Sequence, residues 1–177
     1  MKFSILPVDL KELSSSVRFY PVQESELGRI NELCNTPEIA DNFETIPPIS
    51  METTRAMWNY MQSGIVSLWG IHMNTRIVGG AGFYVQPPGT KISHVATFFL
   101  YLEPAYWGMG IGKEAILFLE REAKDRGYTK MECLVTIVNS RAIRLYERLG
   151  YLQEGIKKKA FFDNGEYSDL VLMGKFS

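Results

Sequence analysis

The stretch Trp107-Gly108-Met109-Gly110-Ile111-Gly112-Lys113 lies between an apolar run, Val95 to Leu102, and a segment of helical periodicity. Three glycines at alternate positions let the backbone pass close to a ligand. The helix that begins there points its unpaired N–H groups and the positive end of its dipole outward. Such a turn is suited to phosphate.

Spacing separates the kinds of phosphate turn. A P-loop needs four residues between its first glycine and the Gly-Lys pair, followed by a hydroxyl residue for magnesium. Here three residues separate Gly108 from Gly112-Lys113, and Glu114 holds the hydroxyl position. The dinucleotide fingerprint fails too, because Lys113 stands where its third glycine would follow Gly108 and Gly110. A pyrophosphate turn of another ancestry remains.

Around the turn the pattern alternates. Upstream, after a leader ending at Ser14-Ser15-Ser16, Val17 to Val22 reads as a strand and Glu24 to Cys34 as a helix with apolar Leu27, Ile30 and Leu33. Thr36-Pro37 starts a short helix. Asn42 to Pro48 is a loop, and Ser50 caps a helix from Met51 to Gln62. Strands near Val66 to Met73 and Ile77 to Val85 form a hairpin through Asn74-Thr75-Arg76. Downstream, Ile111, Ala115, Phe118 and Leu119 mark the buried face of a helix that Gly127 ends, with Glu120/Lys124 and Arg121/Asp125 pairs on the wet side. Met131 to Val138 reads as a buried strand, Asn139 caps a helix ending at Gly150, and Asp163-Asn164-Gly165 joins two closing strands.

With 177 residues, 46% hydrophobic and 22% charged, the chain suits a single α/β domain spanning 1–177. A net charge of −1 supplies no global field for nucleic acid or anionic lipid. No stretch reaches the roughly 20 apolar residues of a membrane span, so a cytoplasmic location is expected. Cys34 and Cys133 lack metal-ligand spacing and read as buried free thiols; His72 and His94 form no metal cluster with them, and no metal is expected.

These residues resemble the GNAT superfamily of acetyl-CoA-dependent N-acetyltransferases. The family's phosphate motif is a Gln or Arg, two residues, Gly, one residue, then Gly or Ala. It would fall on Trp107 to Gly112, with Trp107 as the departure. Tyr106-Trp107-Gly108 followed by Gly110 looks like a variant in the branch that acetylates ribosomal-protein N-termini and small amines. Asn139-Ser140-Arg141-Ala142-Ile143-Arg144-Leu145-Tyr146, closed by Gly150-Tyr151, is similar to the family's other cofactor segment. Asn139, Ile143 and Tyr146, at i, i+4 and i+7, share a helix face.

The resemblance implies a mixed, mostly antiparallel central sheet flanked by helices and splayed between its fourth and fifth main strands, with acetyl-CoA as co-substrate in the gap. Backbone N–H groups near Leu100 and Leu102 would polarise the thioester and hold the pantetheine. Trp107, Gly108, Met109, Gly110, Ile111, Gly112 and Lys113 would hold the pyrophosphate, Asn139 the pantetheine arm, and Tyr146 would be general acid. A phenol with a reference pKa of about 10 needs positioning to protonate a thiolate whose conjugate acid lies near 8.5.

The base stays open. Many relatives place a Glu on the fourth strand where this chain has Thr97; His94, Glu103, Glu44 or a water chain are the other candidates. Acceptor recognition is expected to fall to the Asp41 to Ser50 loop, the helix after it and the closing hairpin, with Trp58, Tyr60, Trp69, Phe83 and Tyr84 as wall candidates; Glu38, Asp41, Glu44 and Glu52 read equally as attraction for a cationic amine and as a solvated helix face. Lys157-Lys158-Lys159 reads as exposed charge, with contact to a cofactor phosphate the lesser reading. The acceptor class is a primary amine: a protein N-terminus, a polyamine, an amino sugar or an amino acid. A homodimer rests on analogy alone. The alternative is an acyl-CoA-binding sensor or assembly module without turnover.

Overall fold

The computed structural model describes residues 16–176. The expected leader lies outside the described residues except for Ser16. The elements are β1 (Val17–Pro21), α1 (Leu27–Cys34) after a 3-10 turn at Glu24–Glu26, α2 (Pro37–Ala40), α3 (Met51–Met61), β2 (Val66–Met73), β3 (Arg76–Val85), β4 (Val95–Leu102), α4 (Ile111–Asp125), β5 (Lys130–Thr136), α5 (Ser140–Arg148), β6 (Leu152–Asp163) and β7 (Glu166–Phe176). The seven strands form one sheet in the order β1-β2-β3-β4-β5-β7-β6. Every neighbouring pair is antiparallel except β4 and β5, which run parallel. No helix among the described residues is long and apolar enough to cross a membrane.

The sheet buries both faces. On one, Ile111, Ala115, Ile116, Leu119 and Ala123 of α4 pack against Phe98, Met131, Cys133 and Met173. On the other, Leu27, Ile30 and Leu33 of α1 pack against Ile77 and Tyr101. β3 is covered on both sides and runs without polar alternation through Gly79-Gly80-Ala81-Gly82. Its glycines let β4 approach, because a Cβ on Gly79 would strike the Tyr101 carbonyl.

The expected caps form: Ser50 accepts the Thr53 N–H at 3.0 Å, and Asn139 the Ala142 N–H at 3.1 Å. Three expectations are corrected. The fifth strand stops at Thr136, not Val138, because the Asn139 N–H turns back to the Thr136 carbonyl and leaves Val138 exposed. On α4, Glu120 pairs with Lys175 of β7 at 2.8 Å instead of Lys124, and the i,i+4 pair that forms is Glu122 with Arg126. Arg121 and Asp125 make no ion pair among the described residues.

Both cysteines are free; Cys133 is buried and Cys34 half-buried. Burial lifts the Cys34 thiol from its ordinary 9.0 to about 11, opposed by the neighbouring Tyr101 phenol. Burial lifts Cys133 further. A thiol whose folded value is raised stabilises the fold fully below its ordinary value, and that contribution is lost as pH rises toward the folded one. Thermal unfolding should therefore be insensitive to these groups between pH 6 and 8 and move to lower temperature between about pH 9 and 11. At pH 8 iodoacetamide should label both thiols far more slowly than in unfolded protein. Free-thiol labelling rates would overturn this reading.

Candidate functional site

β4 and β5 pair only at Val95–Lys130, Ala96–Met131 and Thr97–Glu132; beyond Thr97 the strands part. Successive residues in a strand turn their backbone groups to opposite edges. The Glu103 N–H donates to the Val78 carbonyl on the β3 side, whereas the His94 carbonyl accepts from Thr129 and Lys130 on the β5 side. Alternation therefore aims the N–H groups of Leu100 and Leu102 into the gap. On that same edge the Leu102 carbonyl accepts the Trp107 Nε1–H at 2.6 Å.

The glycines after Trp107 divide their work. Gly108 and Gly110 have φ of +78° and +81°, with nothing within 4 Å of a would-be Cβ, so glycine is needed there for conformation. Gly112 serves packing instead: a Cβ would lie 3.3 Å from Leu145 Cδ2 and 3.7 Å from Leu100 Cδ2. Gly110 stands at the N-cap of α4 and offers no side-chain acceptor to the first-turn N–H groups. Those donors are left for a ligand.

The gap and the turn open into one cavity of about 630 Å³. Of the residues expected at a cofactor site, Leu100, Leu102, Trp107, Gly108, Gly110, Gly112, Lys113, Asn139 and Tyr146 line it. Met109 and Ile111 do not. Ile111 is 2% exposed within the core and Met109 packs against that core, so both could contribute only backbone. On α5 and its cap the cavity is lined by Asn139, Arg141, Ala142, Arg144, Leu145, Tyr146, Arg148 and Leu149, whereas Ile143, expected on one face with Asn139 and Tyr146, packs on the core without lining it.

Tyr146 is buried, its ring edge-on to Phe98 with centroids 5.4 Å apart. Burial, with Cys133 as a smaller cause, pushes its phenol well above the ordinary value. It stays protonated at neutral pH. Asn139 caps α5 with Oδ1 while its Nδ2 donates to Asn42 Oδ1 at 2.9 Å, tying the loop after α2 to α5 across the cavity. One donor and one acceptor site remain on that amide.

The candidate bases are placed elsewhere. Glu103 is bound by Arg29 at 3.0 Å and Arg76 at 2.9 Å, bridging α1 to the β3 edge. His94 sits at the opposite end of β4, and the Thr97 hydroxyl lies 3.5 Å from Glu132. Glu44 lies beside Tyr84, whose phenol is pushed up by burial and then by that carboxylate. None of the four lines the cavity. Trp69 and Phe83 are core, Trp58 packs on the α1 side, and Tyr60 and Tyr84 are exposed outside the cavity. Of the elements expected to meet the acceptor, the Asp41 to Ser50 loop lines the cavity through Asn42 and Phe43, joined by Glu38 and Ile39 of α2, while α3 and the β6–β7 hairpin do not.

Tyr101, Arg141, Arg144 and Arg148 are lining residues that the sequence reading passed over, and of the four acids it named for a cationic amine only Glu38 lines the cavity. For the arginines a signal existed, since i, i+3 and i+7 place them on one helix face. The sequence did not separate Glu38 from Asp41, Glu44 and Glu52, because its place depends on how α2 packs.

The parted strands with N–H donors facing in, the open glycine turn and the uncapped helix end together fit a long ligand ending in a diphosphate. Comparison agrees. Residues 33–151 match the acetyltransferase (GNAT) family. An uncharacterised SPbeta prophage-derived N-acetyltransferase of Bacillus subtilis is 39% identical over 44% of this chain and 46% of its own length. Spermidine N(1)-acetyltransferase of Escherichia coli is 33% identical over 47% of each. The chain thus matches about half the length of these relatives. The structure of spermidine N-acetyltransferase from Vibrio cholerae in complex with CoA and spermine shares the fold, with a TM-score of 0.82 at 21% identity over 92% of this chain and 96% of that one. A family match across more than half of the sequence, on a fold of the same kind, settles the affiliation: the chain belongs to the acetyltransferase (GNAT) family.

Proposed function

We propose that the protein is an N-acetyltransferase that moves an acetyl group from acetyl-CoA to a primary amine by direct attack, with both substrates bound at once. The observation that carries this reading is the meeting of the β4–β5 gap, the glycine turn and the Tyr146 phenol in one cavity. When bound, acetyl-CoA supplies an acyl thioester. Leu100 and Leu102 present backbone N–H donors from the edge of β4, preorganised toward a carbonyl that gains negative charge. The N–H groups after Gly108 and the α4 dipole hold diphosphate, and the free positions on the Asn139 amide contact the pantetheine arm.

Tyr146 holds a proton at its phenol oxygen for the departing sulfur. Because burial makes that phenol a weaker acid, its contribution comes from position and sits at the lower end of general-acid effects. Glu38 is the single carboxylate among the described lining residues. It draws a cationic amine to the cavity and accepts, directly or through water, the proton the amine gives up.

The test is thiol release from acetyl-CoA against a polyamine, an amino sugar phosphate and a peptide with a free N-terminus. One class should turn over, and Tyr146→Phe should lower kcat about 10²-fold with the KM for acetyl-CoA unchanged. Tight CoA binding without thiol release from any amine would overturn transfer in favour of a sensor.

A further inference from the structure

Arg29, Arg76, Arg126, Lys130, Lys158 and Lys175 pair with carboxylates, while other cations such as Arg121 and Lys124 stand singly on the surface. The cavity wall gathers its cations together. Lys113 of α4 and Arg141, Arg144 and Arg148 of α5 all line it, and none makes an ion pair among the described residues. At i, i+3 and i+7 the arginines form one row about 10 Å long, a repulsive arrangement on an isolated helix. A row of like charge on a concave wall calls for an anion to face it.

The row can be placed against the glycine turn. Its first member is fixed: the Arg141 guanidinium lies 3.5 Å over the Trp107 ring, and that indole is itself held by Leu102. Stacking on the face leaves the in-plane N–H groups free to donate. The far end of the turn, Gly112, packs on Leu145. The turn therefore runs beside α5 from Arg141 to Leu145, and a diphosphate resting on it accounts for Lys113 and Arg141. Arg148 lies a helical turn further along, with Arg144 between.

Resting on the cofactor reading above, we infer that Arg144 and Arg148 form a second phosphate site, for the phosphomonoester on the ribose of CoA, and that this site makes the 3′-phosphate a determinant of binding. The lysine run of β6 does not compete for the role. Lys158 is bound to Asp169 at 2.8 Å, and none of Lys157, Lys158 and Lys159 lines the cavity.

The experiment is calorimetric titration of CoA and dephospho-CoA into wild type and the Arg144→Gln/Arg148→Gln variant, with thermal unfolding as a check on folding. Wild type should bind CoA about tenfold or more tightly than dephospho-CoA, since charge-assisted phosphate contacts are strong. The variant should bring the two within about twofold by weakening CoA alone. Equal binding of both ligands to wild type, or a variant that weakens both alike, overturns the second phosphate site and leaves the cofactor reading standing. Absence of CoA binding altogether overturns both. The wild-type ratio is informative even if the variant fails to fold.

Discussion

Gly110→Val should weaken CoA binding at least a hundredfold while leaving the fold intact. Gly110 sits at φ +81° directly before the first turn of α4, and a β-branched residue is strongly disfavoured there. Nothing lies within 4 Å of a would-be Cβ, so the cost is backbone strain with no steric clash, about 1–3 kcal/mol. The chain relieves that strain by rotating the turn, which takes the Ile111, Gly112 and Lys113 amides out of register together. Titration of CoA into the variant, with circular dichroism as the control, measures this. Affinity within threefold of wild type would show that the turn is not the diphosphate seat.

The largest loss of stability should come from Gly82→Ala in β3. An added methyl would run into the Ser67 carbonyl of β2 and meet the Phe99 Cζ at 2.6 Å. A backbone carbonyl inside a paired ladder cannot swing aside as a side-chain tip can, so overpacking should cost roughly 2–4 kcal/mol. The midpoint of urea unfolding should fall with its slope preserved. A midpoint unchanged from wild type would mean that β2 and β4 yield more easily than close packing allows. The same change at Gly28, which has nothing within 4 Å, should be nearly silent.

The contrast between Gly110 and Gly82 shows how far the sequence could be read. Gly108, Gly110 and Gly112 stood out because alternate glycines before an amphipathic helix have a local explanation. Two of them do take left-handed backbone, and the third turned out to be a packing residue. Gly79, Gly80 and Gly82 sat inside an apolar run and carried no signal, because their role is to admit atoms from strands remote in sequence. Tyr146 and Asn139 were legible for the same local reason as the turn: helix periodicity and cap chemistry are properties of neighbouring residues. Glu103 misled as a base candidate because its partners, Arg29 and Arg76, are 74 and 27 residues away.

By itself, the sequence determined the order of elements, the caps, the glycine turn and the family it resembles, since each depends on contacts within a few residues along the chain. Tertiary structure alone decided that β4 and β5 separate after Thr97, that Asn139 ties Asn42 across the cavity, that Arg141 lies on Trp107, and that Glu38 is the acid in the lining. The physical reason is common to all four. Each depends on where two separately stable pieces of backbone are carried by the packing of the sheet, and that packing is settled by the whole core at once.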